Sequence, residues 1–167
     1  MILSEVFKPL ESNYGSDENV SDGKFKTINV GLNVHYTFID YGKNRYMVTF
    51  TDVGDKTFDV GFSAKSIDEA TSNIEDYLDM TPTGSYQAMK AFGVIGYIML
   101  QFVRQFVVDS LRFAGSGDKH DEAYKMLARS PSVKKFSEKS GFKYDGIHEI
   151  SVFGMDKKYH FFRKKQQ

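Results

Sequence analysis

The segment SPSVKKFSEKSGFKY, residues 130–144, has the pattern of a helix that ends and passes directly into a strand. Ser130 is a favoured residue at a helix N-terminus, and Pro131 suits the first helical turn. Phe136 lies on the apolar side of the pattern, between lysines that face water. Gly141 predicts the left-handed conformation that ends many helices. The segment therefore predicts a short amphipathic helix followed by a strand.

Three β-rich runs lie upstream, at residues 26–40, 45–53 and 57–64. Apolar and polar residues alternate along the first run, which predicts a half-buried strand. Glycine, aspartate and asparagine residues between the runs predict tight turns. Together the three runs predict an antiparallel meander.

Two helical patterns follow the meander. Residues 66–80 begin with a capping box, in which Ser66 and Glu69 are three apart. Residues 85–107 are apolar on nearly every side, which predicts a buried central helix.

The rest of the chain predicts a strand at 110–115 and a helix from about residue 119 that bends or restarts at Ser130. Two final strands, at 148–154 and 157–165, are predicted to join at Met155–Asp156.

This order predicts an α+β fold: a mostly antiparallel mixed sheet with a central buried helix and flanking helices. Residues 25–167 form a single domain, since a chain of 167 residues fits one core. Residues 1–24 are predicted to form an N-terminal arm, part of it mobile, because the stretch is polar and lies at a terminus.

Composition excludes several kinds of site. The chain has no cysteine, which excludes disulfides and thiolate chemistry, and its four histidines lack the spacing of zinc ligands. The longest apolar run, residues 91–100, is shorter than the roughly 20 residues that a bilayer requires. The N-terminus lacks a cleavable signal pattern. These features predict a soluble cytoplasmic protein with no metal and no membrane contact.

Charge is unevenly spread, although the net charge is zero. Residues 1–80 hold seven basic and 14 acidic residues, whereas residues 81–167 hold 15 and eight. KKYHFFRKK, residues 157–165, interleaves bases and aromatics as a platform for single-stranded nucleic acid does. The same pattern fits a terminal edge strand whose aromatics enter the core and whose lysines protect the edge. The zero net charge favours the strand.

The element order resembles the GNAT (Gcn5-related N-acetyltransferase) fold. Many of these acetyltransferases carry Asn-x-x-Ala-x-x-Leu-Tyr-Glu-Lys-x-Gly-Phe, and this chain matches it at Glu138, Lys139, Gly141 and Phe142. The tyrosine of that pattern, often the general acid toward the leaving thiolate, is replaced by Ser137. A serine hydroxyl is shorter and far less acidic than a phenol.

The resemblance also implies a glycine-rich phosphate loop, Arg/Gln-x-x-Gly-x-Gly/Ala, before the central helix. Here TPTGSYQAMK, residues 81–90, offers one glycine, Gly84, after the acidic helix 66–80. Whether that helix blocks the CoA cleft is a question that the sequence leaves open. A narrower likeness covers residues 82–144 and resembles small GNAT-like proteins of tailed bacteriophages, whose role is generally unassigned. That likeness implies the cytoplasm of a host cell.

Three functions remain open. The first is a diverged GNAT-like protein without standard acetyltransferase activity that acts through contacts with a protein partner or through self-association. The second is an acyl-CoA-dependent N-acetyltransferase with acetyl-CoA as cofactor; the third is a small nucleic-acid-binding module. For the enzyme, the candidate cofactor-binding residues are Gly84, Ser85, Gly115 and Gly117, and the candidate catalytic residues are Tyr124, as a displaced general acid, and His120. An ordinary loop at 114–120 and a half-buried Tyr124 are the alternatives.

Overall fold

The computed structural model describes residues 24–41, 43–66, 68, 85–114, 125–126 and 128–165. Its strands are β1 (Lys26–Asn29), β2 (Asn33–Tyr41), β3 (Asn44–Asp52), β4 (Thr57–Ser66), β5 (Ser110–Ala114), β6 (Phe142–Val152) and β7 (Met155–Lys164). Its helices are α1 (Ser85–Gln105) and α2 (Pro131–Ser140). Residues 1–23 of the predicted arm and nearly all of the predicted helix 66–80 lie outside the described residues.

The described strands form one sheet in the order β1-β2-β3-β4-β5-β7-β6. β4 and β5 are parallel, and every other neighbouring pair is antiparallel. The sheet is therefore mixed and mostly antiparallel, and the prediction of an α+β fold is confirmed.

Residues 26–40 form two strands, so the prediction of a single strand was wrong. The chain turns back at residues 30–32, where Gly31 has a φ of 93° and Asn29 pairs with Asn33. Val30 and Leu32 are both more than half exposed in this turn. Alternation of apolar and polar residues continues through the turn, so hydrophobic period alone did not reveal it.

The last turn also lies two residues earlier than predicted. β6 and β7 join at Phe153–Gly154, where φ is 51° and 75°, and Met155–Asp156 belongs to β7. Two successive residues with positive φ match the two-residue turn that suits the twist of a hairpin. Asparagine, aspartate and glycine are usual in such a turn, so an aromatic residue there concealed it.

The predicted helix at the start of residues 130–144 is confirmed in detail. The Ser130 hydroxyl accepts the Val133 N–H at 3.3 Å, and Pro131 occupies the first turn of α2. Gly141 ends the helix with φ 78° and ψ 6°, and its N–H donates to the Ser137 carbonyl at 3.0 Å. These caps satisfy backbone groups that a helix end otherwise leaves without partners.

The main core lies between one face of the sheet and the two helices. Along α1, Ile95, Ile98, Met99 and Phe102 are buried, and from α2 Val133 and Phe136 join them. Core residues of the sheet on this face are Ile39, Tyr46, Val48, Phe50, Phe58, Val60, Leu111, Phe113, Phe142 and Phe162.

The opposite face of the sheet also buries side chains. Phe38 and Met47 face each other there across β2 and β3, and both are buried. Asp40 and Arg45, the next pair on this face, form two hydrogen bonds of 2.7 and 3.0 Å between carboxylate and guanidinium. Both members of this ion pair are buried.

His35 should make the stability of the fold depend on pH. Burial lowers the pKa of His35 below its ordinary 6.5, partly offset by Asp52, which raises it. Its ring lies 4.5 Å from that of Phe106, and Nδ1 is 2.7 Å from the Thr27 hydroxyl. As the pH falls, His35 therefore takes up a proton at a higher pH in the unfolded chain than in the folded one. The stability contributed by the neutral imidazole is complete above about pH 6.5 and decreases as the pH falls below it.

When the pH is lowered from about 7 to about 5, we expect the free energy of unfolding to fall less for His35→Gln than for the parent. Urea unfolding at both pH values measures this difference, and the two proteins compared at about pH 8, where the imidazole is neutral in both states, give the baseline. Equal pH slopes for parent and variant would contradict the expectation.

Candidate functional site

The parallel strands β4 and β5 stay paired over only three positions. The pairs are Thr57 with Ser110, Phe58 with Leu111 and Asp59 with Arg112. β4 continues to Ser66 and β5 to Ala114, without further pairing between them in the described part of the chain. We call residues 60–66 and 113–114 the β4–β5 fork. Where two paired strands separate, the backbone N–H and C=O groups on their facing edges no longer bond to each other. Such groups can bind a ligand.

The helix-covered side of the β4–β5 fork is apolar. Val60 and Phe113 are buried there, and Phe62 packs against the same core while half-buried. α1, which follows β4 in the chain, begins at Ser85 and has no acidic residue in its first turn. A helix N-terminus favours anions, and no carboxylate in this turn opposes that preference.

The other face of the sheet carries an ion pair at the last paired position before the fork. The Arg112 guanidinium donates from Nε to the Asp59 carboxylate and lies 4.2 Å from the centre of the Tyr159 ring. Arg112 is therefore neutralised and stacked, and it is not an unpaired cation for a phosphate. Neither Asp59 nor Arg112 was predicted from the sequence to belong to a site. The available signal was a lone arginine amid the apolar residues of β5.

The candidate site residues from the sequence are mostly outside the described residues. Ser85 is the first residue of α1, but its side chain is not described. Gly84, Gly115, Gly117, His120 and Tyr124 all lie outside. Their roles stay predictions. Ser137, in the position of the family tyrosine, is half-buried in α2.

The aromatic residues of β7 do not form a nucleic-acid platform. Tyr159, His160, Phe161 and Phe162 are all buried. Bases stack on exposed rings, and β7 presents none. β7 is also not the edge strand that the alternative assumed, because it lies between β5 and β6.

The outer half of the β6–β7 hairpin exposes large apolar side chains. Phe153 at its turn is 100% exposed, Met155 68% and Ile147 40%. We call residues 147–158 the hairpin tip. The four β7 residues of this segment, 155–158, are all exposed.

An open cleft of about 380 Å³ lies beside the first residues of β5, away from the fork. Asp109, Ser110, Arg163, Lys164 and Lys165 line it. Arg163 donates from Nε to the Asp145 carboxylate at 2.9 Å, and its guanidinium lies 4.4 Å from the centre of the Phe161 ring. Its charge is therefore already engaged.

No helix in the described ranges is long and apolar enough to cross a membrane. Within the same ranges, no three His, Asp or Glu side chains are grouped as metal ligands would be. No model of a known protein family matches the sequence, and a search of curated proteins finds no similar sequence.

Proposed function

We propose that this chain is a diverged GNAT-like protein of the tailed-bacteriophage type, acting through protein contacts rather than as a standard acetyltransferase. The observation that carries the proposal is the hairpin tip. A fully exposed phenylalanine with a φ of 51° is costly at a turn, because left-handed backbone disfavours side chains of this size. Exposed apolar clusters of this kind are typical of protein-binding sites.

The sheet supports the GNAT-like part of the proposal. The chain passes from an antiparallel meander into α1, returns in a parallel β5, and ends in α2 and a hairpin. The element order predicted from the sequence patterns, which resembles that fold, has the same succession apart from one strand fewer in the meander. The short pairing of β4 with β5 leaves the β4–β5 fork open, and an opening in the sheet would suit a CoA cleft.

The chemistry supports the non-catalytic part. Ser137 stands where the resemblance implies a phenol, and a serine hydroxyl is a poor general acid at neutral pH. Arg112, next to the β4–β5 fork, is held by Asp59. Ser137 therefore does not supply the phenol of the standard reaction, and the charge of Arg112 is already paired.

An acyl-CoA-dependent N-acetyltransferase is the second candidate, and the β4–β5 fork favours it. In that case Gly84 and Ser85 at the start of α1, with Gly115 and Gly117 beyond β5, would bind acetyl-CoA, and Tyr124 or His120 would take part in the chemistry. The first turn of α1, free of acidic residues, would suit a pyrophosphate.

Titration with acetyl-CoA separates the two candidates. We expect no heat by calorimetry and no thermal shift at millimolar ligand, with CoA lacking the acetyl group as the control. A ligand present at about one hundred times its Kd would stabilise the fold by about 2.7 kcal/mol, an effect that is easily measured. Micromolar binding would overturn the non-catalytic proposal and direct mutagenesis to Gly84 and Tyr124.

A thermal melt of Phe153→Asn, compared with that of the parent, tests the role of the hairpin tip. Asparagine tolerates positive φ better than phenylalanine, so we expect the variant to melt at or above the temperature of the parent. A drop in stability above about 1 kcal/mol would assign Phe153 a structural role and remove the observation on which the proposal rests.

A further inference from the structure

β6 is the long edge of the sheet. It has 11 residues and lies last in the strand order, whereas the opposite edge, β1, has four. Among the described residues, no strand pairs with the outer side of β6. An edge of this length that has no partner strand in the described part of the chain is a template for pairing with another chain.

The outer half of β6 has few of the devices that usually protect an edge, and Glu149 is its one acidic residue. Residues 147–152, IHEISV, contain no lysine, no proline and no glycine. The irregularity in the ladder comes earlier, between Tyr144 and Ile147, where Gly146 has a φ of 80°. Beside this irregularity, the His148 Nε2 lies within hydrogen-bonding distance, 2.9 Å, of the Asp145 carbonyl oxygen. The irregular part of this edge therefore ends where residues 147–152 begin.

We propose that β6 pairs antiparallel with β6 of a second copy of this chain, centred on Ile150. This inference rests on the proposed function, action through protein contacts, and names the partner. The two hairpins would then form one continuous four-stranded ribbon across a two-fold axis.

The side chains on β6 favour this register over its neighbours. A two-fold axis perpendicular to the sheet places equivalent residues opposite each other around one central residue. With Ile150 at the centre, Glu149 lies opposite Ser151 and Ile147 opposite Phe153. With Glu149 at the centre, two carboxylates oppose each other, which destabilises a sheet. With Ser151 at the centre, Glu149 opposes Phe153.

The same register covers the exposed apolar residues of the strand. Ile147 is 40% exposed and Phe153 100% exposed in the single chain, and each would contact the other across the interface. This contact accounts for a phenylalanine at a turn position that favours asparagine or glycine. The paired segment is short, so the interface belongs to the small, weak class with Kd on the order of micromolar.

Sedimentation equilibrium of the full chain over a range of concentrations tests the proposal. We expect a reversible dimer. Ile150→Glu places two carboxylates at the axis and should abolish the dimer, while Lys157 opposite it within the hairpin keeps the monomer folded. Leu32→Glu adds the same charge at an exposed apolar residue of the β1–β2 turn and should leave the dimer intact. A thermal melt of each variant checks folding.

Two further substitutions test the register through changes of opposite sign. Ser151→Lys places a lysine opposite Glu149 of the other copy at both symmetry-related positions. It should lower the Kd of the dimer about two- to thirty-fold. Ser151→Glu should weaken it by a similar factor. A dimer that responds equally to both, or that survives Ile150→Glu, would overturn the proposed interface.

A monomer at every concentration would also overturn it. If the chain is a monomer and also does not bind acetyl-CoA, the proposed function would stand, and the partner would be a different protein. Micromolar acetyl-CoA binding would instead remove the proposed function, whatever the oligomeric state.

Discussion

Phe102→Ala should lower the free energy of unfolding by about 3–5 kcal/mol, because removal of a buried phenylalanine leaves a cavity that the core cannot fill. Phe102 is fully buried and stacks on Phe50, with ring centroids 3.9 Å apart. It also meets Phe58 edge-on at 5.0 Å and Phe25 at 5.3 Å. Its ring therefore connects α1 to β3, β4 and the segment before β1.

Urea or thermal unfolding measures the effect, which corresponds to a loss of roughly 10 °C in melting temperature. Val107→Ala is a suitable control, because Val107 follows α1 and is 73% exposed. We expect the control to change stability by about 0.5 kcal/mol or less. A Phe102→Ala loss below about 1 kcal/mol would show that this aromatic cluster does not stabilise the fold.

Local signals in the sequence predicted α2 well. Ser130, Pro131 and Gly141 each act through backbone groups within a few residues, so their effect is readable without the rest of the fold. The buried character of residues 95–102 was predictable for the same reason, since an almost wholly apolar helix must be covered.

Two turns were not predicted correctly, and only the second departs from ordinary turn chemistry, because Gly31 and the Asn29 side chain that accepts its N–H are usual in turns. The turn at 30–32 keeps the apolar alternation of its strands, and the turn at Phe153–Gly154 places an aromatic residue where φ is positive. Departures from local preference are expected where function imposes a second demand. For Phe153 we assign that demand to the proposed interface.

The candidate site was less predictable than the fold. Asp59 and Arg112 are 53 positions apart, and only the parallel pairing of β4 and β5 brings them together. A single sequence gives no sign of such a long-range pair. The family resemblance directed attention to glycines and a tyrosine instead, all outside the described residues.

Arg45→Met should lower the free energy of unfolding by about 3–5 kcal/mol, because it leaves the Asp40 carboxylate buried without its cation. The side chains of Arg45 and Asp40 are 11% and 9% exposed. Their two hydrogen bonds, 2.7 and 3.0 Å long, join a planar guanidinium to a carboxylate. An ion pair this deeply buried is costly to break, because water cannot replace the lost partner.

Arg45→Lys should also lose stability, since an ammonium cannot make the two-point contact. The double variant Asp40→Leu with Arg45→Met should recover most of the loss, because apolar residues of similar volume can replace a buried ion pair at little cost. Arg104→Met, which removes the same charge from an exposed position on α1, is the control. Chemical unfolding of all four variants measures how much of the lost stability the double variant recovers. A double variant no more stable than Arg45→Met alone would show that the loss comes from other contacts of the arginine, and not from the stranded carboxylate.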